Sequence, residues 1–249
     1  MSQLSGHTDN HKTNSGLIPS NQWGENSLVD LNLLERNLLD IKTKIAHCKT
    51  RIIGVTKYYG LDAIVKGYKA GLRDFGESRA LDAIKKIEQL PVDVRENSKF
   101  HFIGHLQTNK AEKVVEYFDY IHSVDSLRLA EVISQVACRL NKREKVLLQV
   151  NLSGELQKFG YDKTTLKADF SKILVLDSIE VVGLMCMAPF GAEKAELRSL
   201  FSALREFRDE LEVDFGVQLP ELSMGMSDDY EIAVAEGATM IRIGRKLFS

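Results

Sequence analysis

The sequence predicts an α/β fold, a single-domain (β/α)8 TIM barrel. Three observations predict it. Short apolar runs alternate with amphipathic helical runs without a break, the pattern of parallel strands joined by right-handed helical crossovers. The 249 residues match the size of one such barrel. The residues capable of chemistry fall at the C-terminal ends of the strand candidates, the face on which this fold carries its sites.

Residues 1–26 are rich in Ser, Asn, Gly, Thr and His and poor in large apolar side chains. They cannot offset the entropy of ordering, so a disordered polar tail is expected there and the barrel over 27–249. His7 and His11 read as polar residues of that tail, not as metal ligands. A long amphipathic helix is expected over 27–46, where Val29, Leu31, Leu34, Leu38, Ile41 and Ile45 recur at helical spacing. It either caps the bottom of the barrel or lies along the flank of a strand.

Strands are expected at 51–57, 72–76, 99–104, 120–124, 145–152, 179–187, 221–225 and 239–244. Helices are expected between them at 61–70, 79–90, 109–117, 126–141, 163–175, 192–212 and 228–236. An open doubly wound sheet is the alternative, but eight near-regular units favour closure. In strand order, Lys57, Glu77 with Ser78, Gly104 with His105, Asp125, Asn151, and Met185 with Met187 then stand at strand ends one to six. Ser223 to Ser227 follow strand seven, and Arg242 to Arg245 follow strand eight.

Composition excludes several function classes. A net charge of −2 gives no reason to expect nucleic acid as a partner. No run approaches the ~18 apolar residues of a membrane span, and the N-terminus lacks the apolar core of a signal peptide. Cys48, Cys138 and Cys186 show no metal-ligand spacing and read as buried thiols in a reducing compartment. A cytoplasmic protein, monomeric by default, is expected.

Lys57 directly follows the apolar run Arg51-Ile52-Ile53-Gly54-Val55-Thr56. Taken alone it reads as a lysine snorkelling from a strand end. The C-terminal quarter changes that reading. Two glycine-marked turns, Leu222 to Asp229 and Ile241 to Arg245, each follow an apolar stretch. Ser227 precedes the helical run 228–236, so Met226 and Ser227 can offer backbone N–H groups and a hydroxyl to an anion. Gly244 lets the backbone approach a ligand, and Arg242 and Arg245 add positive charge. A lysine whose amine can be held neutral among apolar neighbours attacks aldehydes. Facing a phosphate cradle, it describes a site for pyridoxal 5′-phosphate.

The segments Val55-Thr56-Lys57, Asp74-Phe75-Gly76-Glu77, Phe100 to Lys110, Ile121 to Asp125, Gln149-Val150-Asn151, Gly183-Leu184-Met185, Leu222 to Asp229 and Arg242-Ile243-Gly244 resemble, in order and spacing, the pyridoxal phosphate homeostasis family. This family is also known as the proline synthase co-transcribed proteins. The resemblance runs from about residue 30 to the C-terminus. It implies a barrel similar to the alanine racemase N-terminal domain, with Lys57 as the aldimine lysine. It also implies that Ser227, the Met226 amide, Gly244 and the Arg245 amide hold the phosphate, with Arg242 beside the pyridine nitrogen and Ser78 near the ring. It implies a protein that stores, delivers or buffers the cofactor for PLP-requiring apoenzymes without turnover of its own.

Three positions depart from the family pattern: Ser78 replaces an asparagine, Arg245 replaces a small hydroxyl residue, and Gln157-Lys158-Phe159-Gly160 replaces Ser-Lys-x-Gly. His101 and His122 read as hydrogen-bonded barrel residues, Met185, Met187 and Met224 as core fillers, and Asp228 with Asp229 as charges at a helix start. Against the carrier stands a PLP-dependent amino-acid racemase of narrow scope, using Lys57 and a cysteine or histidine as its acid/base pair. Two features weigh against it. An arginine beside the ring nitrogen leaves that nitrogen unprotonated, and the chain ends at Ser249 without a second, racemase-like domain.

Overall fold

The structure, a computed structural model, describes residues 29–152 and 159–249. The tail expected over 1–26, and Gln157 and Lys158, lie outside the described residues. Eight parallel strands close in sequence order into a barrel: β1 (Arg51–Val55), β2 (Asp74–Glu77), β3 (Lys99–Phe102), β4 (Tyr120–Val124), β5 (Glu144–Gln149), β6 (Ile179–Met185), β7 (Glu221–Ser223) and β8 (Met240–Ile243). The helices are α1 (Leu31–Lys44), α2 (Leu61–Lys69), α3 (Ala80–Glu88), α4 (Val92–Glu96), α5 (Ala111–Tyr117), α6 (Leu127–Arg139), α7 (Lys163–Leu174), α8 (Lys194–Phe215), α9 (Tyr230–Ala235) and α10 (Arg245–Phe248). The closing pair sets Ile53 against Arg242 and Gly54 against Ile243. That register places the end of β1 beside the end of β8.

Every expected strand and helix forms, with ends displaced by a few residues. Lys57 and Ser78 therefore stand just past their strands, not within them. The short α4 and α10 were missed because one turn is too brief to display a helical period. At the starts of α1, α6 and α7 a side chain occupies a free N–H group: Asp30 accepts from Leu33 N at 3.1 Å, Ser126 from Leu129 N at 3.3 Å and Asp162 from Thr165 N at 2.9 Å. α8 stops at Gly216, whose φ of 64° continues no helix.

The main core lies between the sheet and its helical coat. Leu34, Leu38 and Ile41 of α1 are fully buried, each contributing about 1.5–3 kcal/mol. This helix packs against α10 and α2, and Asn37 donates to the Leu247 carbonyl at 3.3 Å. Of its two possible positions, α1 therefore takes the flank, over the β8–β1 seam. The barrel's inside is unusually polar. His122 of β4 reaches Ser223 of β7, and Arg51 of β1 reaches the Tyr120 hydroxyl of β4; strands so far apart in the ring meet only across the interior.

One expectation fails here. Cys186 is buried, but Cys48 is partly accessible and Cys138 is exposed on the outer side of α6, so the cysteines are not uniformly core residues. Among the described residues no helix is long and apolar enough to cross a membrane.

Candidate functional site

After β7 the chain turns at Gly225, whose φ is 89°. A Cβ there would lie 2.5 Å from the Ala233 Cβ, so glycine is needed both for the backbone angle and for the close approach to α9. The Met226 carbonyl accepts from Asp229 N at 3.2 Å and Tyr230 N at 2.9 Å. The helix expected from 228 thus begins only at Tyr230, and Ser227 sits in the turn before it. Asp229 folds its carboxylate back onto the Met226 N–H, a local bond that competes with helix continuation. The Met226 amide is consequently engaged by Asp229, and a phosphate would have to displace that carboxylate. Burial pushes the Asp229 pKa up, against the opposing pull of the Met226 N–H, so this carboxylate is the weaker holder of the amide.

The turn after β8 lies against the first. Ser227 Oγ accepts from Lys246 N at 3.3 Å, and the Arg245 guanidinium pairs with Asp228 at 2.7 Å, both side chains largely exposed. These contacts bring Ser227, Gly244 and Arg245 together. The amides of Ser227 and Arg245 have no acceptor among the described residues. A Cβ added to Gly244 would meet nothing nearer than the Val55 carbonyl at 3.5 Å. The protein's own packing therefore does not demand glycine at 244, whereas a ligand lying on this turn would.

Arg242 is buried, 4% exposed, and donates to Ser223 Oγ at 2.8 Å and to the Cys186 carbonyl at 2.9 Å. Among the described residues no carboxylate pairs with it. The Asp229 charge acts on it only from beyond ion-pair distance, and a buried cation so served is costly unless an anionic or electron-rich group completes it. Burial raises the neighbouring Cys186 thiol to about 12, which keeps that thiol protonated and a poor base.

Lys57 lies two residues beyond β1, half-buried, its Nζ 4.9 Å from the centroid of the Tyr58 ring. Its seat was not legible beforehand. Lys86, on the inward face of α3, donates to the carbonyls of Thr56 at 3.0 Å and Tyr59 at 3.2 Å and pairs with Glu77, which also accepts from Thr56 Oγ1 at 2.7 Å. Lys86 and Glu77 are almost wholly buried. They grip the backbone on both sides of Lys57. The available signal was one lysine on the apolar face carrying Ala83 and Ile87, a place where lysine is rarely put without a partner.

Ser78 opens onto a separate cleft of about 340 Å³ shared with Arg79, His105 and Lys110. Neither Lys57 nor Arg242 lines that cleft. In the same region His105 stacks on Phe159 at 3.7 Å and lies 3.3 Å from Asp125. His101 and His122 are buried and hydrogen-bonded as expected, and Met185 and Met224 are core residues, but Met187 is 40% exposed and fills no core.

Comparison with known proteins gives the family and the fold. The family described as "Alanine racemase, N-terminal domain" matches residues 29–249. The pyridoxal phosphate homeostasis protein of Synechocystis sp. is 42% identical over 198 residues, spanning 80% of this chain and 90% of its own. The chain belongs to the pyridoxal phosphate homeostasis family. Its Escherichia coli K12 member is 31% identical, with 88% of this chain and 97% of that one covered. Among solved structures, PipY of Synechococcus elongatus, determined with PLP bound, superposes with a TM-score of 0.80 at 40% identity over 87% of this chain and all of that one. An alanine racemase of Clostridium difficile, 16% identical with a TM-score of 0.73 over 88% of this chain and 57% of its own, shares the barrel. Homeostasis-family membership and the closed barrel both agree with the expectations drawn from the sequence.

Proposed function

We propose that this chain binds pyridoxal 5′-phosphate at the C-terminal mouth of the barrel and takes part in its homeostasis as a carrier for PLP-requiring apoenzymes, not as an enzyme. One observation carries the reading: Ser227, Gly244 and Arg245 converge in the turn that follows the buried Arg242, and the β1–β8 register brings the end of β1, two residues before Lys57, against Gly244. Family relatives named homeostasis proteins, and a relative solved with PLP, support it.

When bound, the cofactor supplies an aldehyde that condenses with an amine, releasing one water, and a ring that withdraws electrons best when its nitrogen is protonated. Lys57 supplies the amine, steadied by the Lys86–Glu77–Thr56 cluster. The Ser227 hydroxyl and the Ser227 and Arg245 amides would hold the phosphate. Arg242 would face the ring nitrogen as a donor that keeps its proton, which would leave that nitrogen unprotonated and disfavour carbanion chemistry. Ser78, which the family resemblance sets near the ring, faces the neighbouring cleft instead.

A racemase needs a proton acceptor across from Lys57. The buried candidates serve poorly: Cys186 holds its proton to about 12, and His101 and His122 are committed within the barrel.

The test is the visible absorbance of wild type and Lys57→Ala with PLP, before and after borohydride, with α-deuterium exchange on amino acids. The expected result is a yellow band in wild type only, a borohydride-fixed adduct on Lys57, and no exchange. An adduct on another lysine would refute the site. Exchange at an enzymatic rate would make the protein a racemase.

A further inference from the structure

The cofactor reading uses one end of a longer chain of contacts. Arg242 Nη1 donates to Ser223 Oγ at 2.8 Å, and Ser223 Oγ lies 2.8 Å from His122 Nδ1. His122 Nε2 lies 2.9 Å from His101 Nδ1, and His101 Nε2 lies 2.9 Å from Asp74 Oδ1. The five residues come from β8, β7, β4, β3 and β2, so the chain crosses the barrel interior. It also descends. Asp74 opens β2, whereas Ser223 closes β7. Ser223, His122 and His101 are at most 0% exposed and Arg242 4%, so bulk water does not interrupt the path.

Counting protons gives this chain a direction. A guanidinium only donates and a carboxylate only accepts. Burial lowers the pKa of both imidazoles, His122 strongly, so each is neutral with a single N–H. Beginning at Asp74, His101 carries its hydrogen on Nε2, which leaves Nδ1 to accept. His122 must then carry its hydrogen on Nε2 and accept at Nδ1. Ser223 donates its hydroxyl hydrogen there and keeps its lone pairs for Arg242. The reverse arrangement requires a protonated Asp74, 3.8 Å from the Arg51 guanidinium, and leaves the Ser223 hydrogen without a partner. Tyr120, stacked on His101 at 4.6 Å, and the Arg51–Glu221 pair enclose the lower end.

We infer that Asp74, His101, His122 and Ser223 are positioning residues, a one-way relay locked in a single proton arrangement that fixes the Arg242 guanidinium toward the cofactor ring nitrogen. The inference rests on the cofactor reading. A neutral acceptor holds Arg242 in place without cancelling its charge, which a directly paired carboxylate would do. The countercharges stand off the guanidinium, Asp229 acting on it through its field and Asp74 lying at the far end of the chain, and each bond polarises the next, strengthening Ser223 Oγ as an acceptor.

Imidazole 15N–1H correlation spectra of the protein, with and without PLP, test the relay directly. Both His101 and His122 are expected as neutral Nε2–H tautomers; an Nδ1–H tautomer or an imidazolium at either overturns the relay. Ser223→Ala is expected to release the His122 tautomer, shift the absorbance band of bound PLP and weaken its binding about tenfold. Ser223→Thr, which keeps the hydroxyl, should restore all three. A wild-type affinity and spectrum in Ser223→Ala overturns the positioning role. Failure of wild type to bind PLP sinks the cofactor reading and with it that role, whereas the tautomers judge the relay independently.

Discussion

The most informative residue pair in this protein is one that performs no chemistry. Lys86 and Glu77 are buried beneath the turn that presents Lys57, and Lys86 satisfies two carbonyls of that turn as well as the carboxylate. Burial raises the Glu77 pKa and the Lys86 charge opposes this most strongly, so each group makes the other tolerable. Lys86→Met would leave the buried Glu77 carboxyl without its cation and the Tyr59 carbonyl without that donor, whereas the Thr56 carbonyl keeps the Tyr59 N–H at 2.9 Å. The expected cost is about 3–5 kcal/mol, read as a lower denaturant midpoint. PLP binding should fall even under conditions where the variant stays folded, because the Lys57 turn loses its anchor. An unchanged midpoint would show that the pair holds nothing in place.

At the scale of elements, the site is made by turns whose geometry glycine permits. Gly225 leads from β7 into the turn that carries Met226 and Ser227, with positive φ and α9 at its back. Gly225→Ala combines left-handed strain with a clash against the Ala233 Cβ, and should destabilise by ~1–3 kcal/mol. Gly244→Ala meets only ordinary contact in the protein, so its folding stability should stay near wild type while PLP binding weakens. Thermal unfolding of both variants, beside their PLP titrations, separates a glycine needed by the fold from one needed by the ligand. Equal losses of stability would remove that distinction.

At the scale of the whole molecule, closing the sheet buries charged strand starts as well as apolar strand centres. Glu144 opens β5, and burial raises its pKa to about 7 against the opposing charge of Lys142, 2.7 Å away. The folded protein therefore binds a proton that the unfolded chain has already released between about pH 4.5 and 7. Stability is greatest below the unfolded pKa and is lost as pH rises through about 7, amounting to about 3 kcal/mol above it. Glu144→Gln keeps the shape without the ionisation. Its stability relative to wild type should rise between pH 5 and pH 8, as measured by denaturant unfolding. A pH-independent difference would refute the assignment. Lys142 keeps other partners in that variant, because it also donates to the carbonyls of Val115 and Phe118.

Much of this protein was legible in one dimension. The period of α1, the eight apolar runs and the rule that barrels carry chemistry at strand ends located the barrel and pointed to Lys57, Ser227, Arg242, Gly244 and Arg245, because periodicity and turn chemistry are properties of neighbouring residues. Folding alone decided that Asp229 takes the Met226 amide, that Ser78 faces another cleft, that Lys86 steadies Lys57 and that His122 meets Ser223. The last two partners stand 101 residues apart in the chain. Such contacts depend on strand register and on what lies across a closed barrel, where burial makes each unpaired polar group costly enough to find a partner.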